Sequence, residues 1–313
     1  MKEVDIIRLV EISKLYYENH LTQSEIASKL NISRPTVSKL LAEAKKRGIV
    51  KVEIKSPLES NDLLLEQLVG MYKLKGGLIV PTLSNDDNII AKLTISQGAI
   101  YLEGLLDTMK NVGLGWGYSM GGLIDAMNPQ APKENIDRAV CPIIGSAANA
   151  IRWYQTNELT RIFTEKTGFK PYFLHAPAFP LSEDNKKLFE NTFEYQEILN
   201  LWAELDTVIL SIGTYPSVPD QATAARFGNK LRESRAVGMI AAYYFDIDGT
   251  IIESENDIVI RLPLDILRKV KRVIAISGGE KKISSTRGAL LTGIITHLIT
   301  DEITTHKIMK IQP

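Results

Sequence analysis

One cysteine in 313 residues, Cys141, has nothing to pair with, so an internal disulfide framework is excluded and a reducing compartment is expected. Histidine is scarce too. His20, His175, His297 and His306 stand far apart without metal-ligand spacing, and no metal centre is expected. No apolar run approaches the roughly 18 residues of a membrane span. The opening stretch MKEVDIIRLVEISK carries acids inside its apolar pattern, unlike a secretory signal. Lys+Arg and Asp+Glu both number 37, so the overall balance favours neither nucleic acid nor a membrane surface. A cytoplasmic chain is expected, with no membrane partner, no cofactor and no catalytic residues of its own.

What is present is ordinary globular material, 44% apolar and 24% charged, and long enough for two domains. The charge is unevenly spread. Residues 1–55 hold 11 basic against 7 acidic side chains, a balance of +4, and the remainder carries −4. A small basic head on a mildly acidic body follows, with a boundary near Pro57: domains 1–56 and 57–313.

In the head, Ile6, Val10, Ser13 and Tyr17 recur at helical spacing and predict a helix over about 4–19. Thr22 and Glu25 form a capping-box pattern that starts a second helix. Asn31 suits a left-handed turn, and Ile32 plugs it. Ser33 caps a third helix with Pro35 in its first turn, and Gly48 ends it. Val37, Leu40, Leu41 and Ala44 are its inward face, and IVKVEIK alternates like a wing strand. Two short helices, a three-residue turn and small residues at the crossing make a winged helix-turn-helix. The outward face of the third helix carries short hydrogen-bonders and cations near its N-terminus, the end that enters a major groove. The candidate DNA contacts are Thr22, Gln23, Ser33, Arg34, Thr36, Ser38 and Lys39, and the expected partner is double-stranded operator DNA.

In the body, apolar runs at 77–81, 111–116, 138–144, 170–177, 206–213 and 271–278 read as strands. Amphipathic segments at 63–74, 88–109, 119–127, 155–167 and 186–204 read as helices. That alternation predicts an α/β domain with a largely parallel sheet, whose ligand crevice lies at the strands' carboxyl ends. Two strand-to-helix bends there are glycine-rich. GLGWGYS (113–119) offers backbone N–H groups, a helix N-terminus and the Ser119 hydroxyl to an anion. SGGEKK (277–282) sets Lys282 about one turn into the following helix, within reach of the same crevice.

Head and body together resemble the SorC family of bacterial sugar-binding transcriptional regulators over nearly the whole chain. The stretches that carry the likeness are LTQSEIASKLNISRPTVSKLLAEAKKRGIV, GLGWGYS, FLHAPA, YYFDIDG and ISGGEKKISSTRGALLTGIITHLITDEITT. The resemblance implies a Rossmann-like effector domain similar to sugar-phosphate isomerases and deaminases, and a homotetramer built as a dimer of dimers. It puts phosphate contacts on Gly117, Tyr118 and Ser119, a sugar contact on Asp246 and the anionic end of the ligand on Lys282. Gln155 and Asn157, at the start of a helix, are further candidates. Members that capture a sugar aldehyde carry a lysine where this chain has Ile144. Ser119 stands where threonine is common, Tyr118 is bulky, and Ser277 fills a usually small, apolar position.

One stretch, FDIDGT (245–250), has the look of a dehalogenase-type phosphatase nucleophile. That chemistry needs a long downstream core with a lysine and a pair of magnesium-holding acids. Only 67 residues follow Asp246, and the one acid pair, Asp301-Glu302, lies near the end. A strand end and tight turn explain the motif instead, with Asp246 aimed at the ligand cleft and Asp248-Gly249 shaping the turn. The expected protein is a transcriptional regulator, a repressor of a carbohydrate-utilisation operon, controlled by a phosphorylated sugar or polyol. Its rival is a sugar-phosphate isomerase or deaminase carrying a DNA-binding head, which needs a tuned general base near the sugar carbonyl.

Overall fold

A computed structural model describes residues 4–19, 21–50, 61–82, 84, 86–130, 137–148, 150–216 and 226–311. The chain divides into two compact units, Met1–Ser56 and Pro57–Pro313.

The first unit holds α1 (Val4–Tyr17), α2 (Gln23–Lys29) and α3 (Arg34–Lys46). Its local signals act as their chemistry dictates. The Thr22 hydroxyl accepts the Glu25 amide while the Glu25 carboxylate accepts the Thr22 amide, a closed capping box. Asn31 takes the left-handed conformation at φ 51°, and the Ser33 hydroxyl accepts the Thr36 amide. Ile12, Ile26, Ala27, Val37 and Leu41 form the core, with Leu30, Ile32 and Leu40 packed on it. The inward face of α1 differs from the expected one. Leu9, Ile12 and Ser13 are buried, whereas Ile6 and Val10 are exposed. Both stripes have helical spacing, and the choice between them belongs to the helices packed across α1. The wing strand falls mainly on residues outside those described.

The second unit contains α4 (Asp62–Tyr72), β1 (Gly76–Val80), α5 (Asp87–Leu105), β2 (Asn111–Leu114), α6 (Tyr118–Ala126), β3 (Ala139–Pro142), α7 (Thr156–Thr167) and β4 (Lys170–Pro171). It continues with α8 (Glu183–Glu190), α9 (Phe193–Ala203), β5 (Thr207–Ser211), β6 (Gly213–Thr214), α10 (Lys230–Glu233), β7 (Gly238–Ile240) and β8 (Tyr243–Phe245). It closes with α11 (Leu264–Leu267), β9 (Arg272–Ile276), α12 (Ile283–Leu291), β10 (His297–Asp301) and α13 (Glu302–Lys310). Seven strands make a parallel sheet in the order β1-β10-β9-β5-β2-β3-β4, and β6-β7-β8 form a small antiparallel sheet. The chain leaves β2 toward β3 and β4, then returns to lay β5 on the other side of β2. The switch point of this doubly wound sheet therefore lies between β2 and β5, where such sheets bind ligands.

Two expectations are corrected and one strand is added. The run 170–177 supplies only a two-residue strand. The helix expected over 186–204 is two, because Ser182 and Thr192 each cap a separate start. β10 was not foreseen as a strand: a short buried apolar run has no period that distinguishes strand from helix. The helical stretch Asp87–Thr108 is long and apolar enough to cross a membrane by length and composition, but α5 buries Ile90, Thr94, Gly98, Ala99 and Leu102 within the unit and packs on β1, β10 and α6.

Candidate functional site

The bend after β2 reaches the start of α6 through Gly117, whose φ of 114° suits glycine alone. A Cβ there would also stand 2.9 Å from the Ser211 hydroxyl oxygen. The Gly117 amide donates to the Trp153 carbonyl at 2.8 Å, so it is not available to a phosphate as expected. The first-turn amides of Tyr118, Ser119 and Met120 remain, since helix geometry gives them no intrahelical acceptor. Four residues on, Gly121 has its missing Cβ occupied by the Trp153 ring, which an added carbon would meet at 1.8 Å.

The end of β5, overlooked in the sequence, joins both glycine bends. The Ser211 hydroxyl donates to the Trp116 carbonyl at 2.8 Å, and the next residue's carbonyl, on Ile212, accepts from Lys282 Nζ at 2.8 Å. Residues 116–117 and Lys282 thus meet neighbouring residues of one strand end. Lys282 is not one turn into a helix. It closes a 3-10 turn (Glu280–Lys282) and caps α12. Burial pushes its ammonium down to a pKa of about 8.

The second bend supplies this cation but no amide cradle. Gly279 N–H donates to Asp301 and Thr304, and Glu280 N–H donates to Asp87, so its backbone is held by the protein itself. At the carboxyl ends of β2 and β5 lies a cavity of ≈ 40 Å³, lined by Gly115, Trp116, Gly117, Tyr154, Leu210, Ser211, Gly213, Met239, Ala241 and Ala242. Ala241 and Ala242 form the two-residue tip between β7 and β8, with φ of 45° and 61°.

Other expected effector contacts are engaged elsewhere. The Asn157 amide accepts the Leu174 N–H and donates to the Leu174 carbonyl, which ties α7 to the segment after β4. Gln155 Nε2 donates to the Ala147 carbonyl. Asp246 Oδ1 accepts the Asp248 and Thr250 amides, so Asp246 itself helps build the turn expected of Asp248-Gly249. Its carbonyl would stand 2.5 Å from a Cβ at Gly288, so α12 passes close beside this turn. Gly249 does shape the turn, at φ 81°. After it the chain returns through a single antiparallel bridge, Phe245 to Ile251. No group of three or more potential metal ligands occurs among the described residues.

In the first unit, Arg34, Thr36, Ser38 and Lys39 are exposed along α3, Gln23 is half-buried, and the Thr22 and Ser33 hydroxyls are engaged in their caps. A helix-turn-helix unit joined to a parallel-sheet unit with a switch-point cleft defines a ligand-responsive, DNA-binding transcriptional regulator. Residues 56–310 match the Sugar-bind family of sugar-binding domains, and residues 12–57 match the MarR family. The deoxyribonucleoside regulator of Bacillus subtilis is 30% identical over 94% of each chain. The sorbitol operon regulator of Klebsiella pneumoniae is 28% identical over 99% of this chain and 100% of its own. The crystal structure of that full-length regulator, SorC, superposes with a TM-score of 0.71 at 25% identity, covering 98% of this chain and 100% of the other. The chain belongs to the SorC family of sugar-binding transcriptional regulators.

Proposed function

We propose that this regulator is a cytoplasmic repressor of a carbohydrate-utilisation operon and that its effector is a phosphorylated sugar or polyol. The phosphate sits at the N-terminus of α6, on the Tyr118 and Ser119 amides and the Ser119 hydroxyl, with Lys282 as its counter-ion. The observation that carries this reading is the Lys282 ammonium. It is held at the switch point, donating to the neutral Ile212 carbonyl, beside a helix start that favours anions. The relatives' names, which refer to deoxyribonucleosides and sorbitol, support a carbohydrate ligand. The cavity of ≈ 40 Å³ is far below the roughly 300–1,000 Å³ of small-molecule sites, so binding requires its walls to part.

Operator DNA is read by α3, with Arg34, Thr36, Ser38 and Lys39 toward the bases and Thr22, Gln23 and Ser33 at the backbone. In a homotetramer, displaced cleft walls alter how the bodies pack and therefore the phase of paired recognition helices. The protein performs no catalysis: ligand binding alone accounts for the cleft.

A thermal-shift screen of sugar phosphates tests the proposal. A ligand at 100 times its dissociation constant adds about 2.7 kcal/mol of stability. Lys282→Ala removes that gain and leaves operator binding intact. An undiminished gain in the variant refutes the site, and turnover of a hit at enzymatic rates refutes the non-catalytic reading.

A further inference from the structure

The walls of the same cavity bear on the form of the sugar itself, an inference that rests on the effector site proposed above. One wall is aromatic. Trp116 and Tyr154 both line the cavity and meet edge to face at 5.6 Å. Tyr118, half exposed, extends that surface 5.9 Å from Tyr154. Met239, Ala241 and Ala242 add alkyl lining.

The two alanines occupy left-handed positions that glycine or asparagine fills at less cost. Their strained tip is held by the Ala242 carbonyl, which accepts from Arg261 at 2.6 Å and from Arg226 at 3.4 Å. Strain retained beside a ligand cavity, where it keeps two methyl groups, points to a demand for apolar surface there.

The lining carries few polar side chains, and the Ser211 hydroxyl among them is already engaged, donating to Trp116. A closed sugar ring has a face of C–H bonds that packs against the negative face of an aromatic ring. An open-chain polyol carries a hydroxyl on nearly every carbon, and each one desolvated without a partner costs about tenfold or more in affinity.

We infer that the effector is bound as a closed ring, with its C–H face on Trp116 and Tyr154, and that its open-chain form is rejected. The probes are carbon-matched pairs: a ring-locked anhydro-alditol 6-phosphate and the corresponding open-chain alditol 6-phosphate, in several stereochemical series. Titrated into the full-length protein, the best ring-locked probe binds at least tenfold more tightly than its open partner. Tyr154→Leu brings that ratio close to one, and Tyr154→Phe preserves it.

Should Tyr154→Leu not fold, saturation-transfer NMR on the unaltered protein decides. Irradiated aromatic protons pass saturation to the C–H protons of the bound ring. Equal or tighter binding of the open-chain probe, or no transfer from aromatic protons, overturns the inference. If both probes then lose binding in Lys282→Ala, the phosphate site stands without it. If no probe in any series binds, the site fails and the ring inference with it.

Discussion

In the N-terminal unit, Thr22 caps with Glu25, Asn31 turns the chain, Ser33 caps with Thr36, and Gly48 follows the end of α3, each acting within a few residues of itself. In the C-terminal unit, the groups that meet at the cleft come from residues 115–117, 154, 210–213, 239, 241–242 and 282. The first unit is built from short-range chemistry and the second from the order of strands in a sheet. A change in the first therefore costs what its own cap or contact is worth. A change in the second is transmitted to segments far away in sequence.

The largest expected break in that contrast is Gly121→Val. An added Cβ meets the Trp153 ring, whose backbone carbonyl holds the Gly117 amide. Overpacking of about 3 kcal/mol or more, with loss of the effector response, is expected in thermal unfolding of the second unit. The first unit should still bind operator.

Lys282→Met comes next. It removes the effector-induced gain of about 2.7 kcal/mol at 100 times the dissociation constant. The same residue sets a pH dependence. Its folded pKa of about 8 lies below the ordinary 10.5, so the unfolded chain keeps a proton that the folded one releases. Stability of the free protein therefore rises from about pH 8 toward 10.5, while affinity for a phosphate falls over that range as the ammonium is lost. Calorimetry at pH 7 and pH 9 measures both, and both trends vanish in Lys282→Met.

Smaller effects belong to the first unit. Arg34→Ala should weaken operator binding by about 1–2 kcal/mol and relax its sequence preference without changing effector affinity, read by titration of operator variants. Ser33→Ala should cost about 1 kcal/mol of helix stability through loss of the cap, read in chemical unfolding. A shift of the second unit's transition by either variant would erase the distinction between the two regions.

The helix-turn-helix was legible almost to the residue because caps and turn formers act on their own backbone. Its one error, the face of α1, arose where two stripes of equal spacing competed and only the packed partners chose Leu9 and Ile12 over Ile6 and Val10. In the body, the glycine bend before α6 and Lys282 were visible as motifs. The partners of Asp246 and Asn157 were not legible for one reason: a polar side chain near a cleft has an unknown partner until the backbone beside it is known. Asp246 found two amides of its own turn and Asn157 found Leu174. The end of β5 was passed over because Ser211-Ile212-Gly213 carries no motif, and its importance comes from lying between β2 and β9.

By itself the sequence determined two domains, a DNA-reading helix with its caps, the strand–helix alternation and the residue types able to bind an anion. These rest on composition, on period and on hydrogen bonds that close within a turn. Only the tertiary structure decided the strand order, and with it which bends become neighbours, which amides remain open to a ligand and which are already spent. Those outcomes depend on contacts between segments tens to hundreds of residues apart, and no local pattern encodes them.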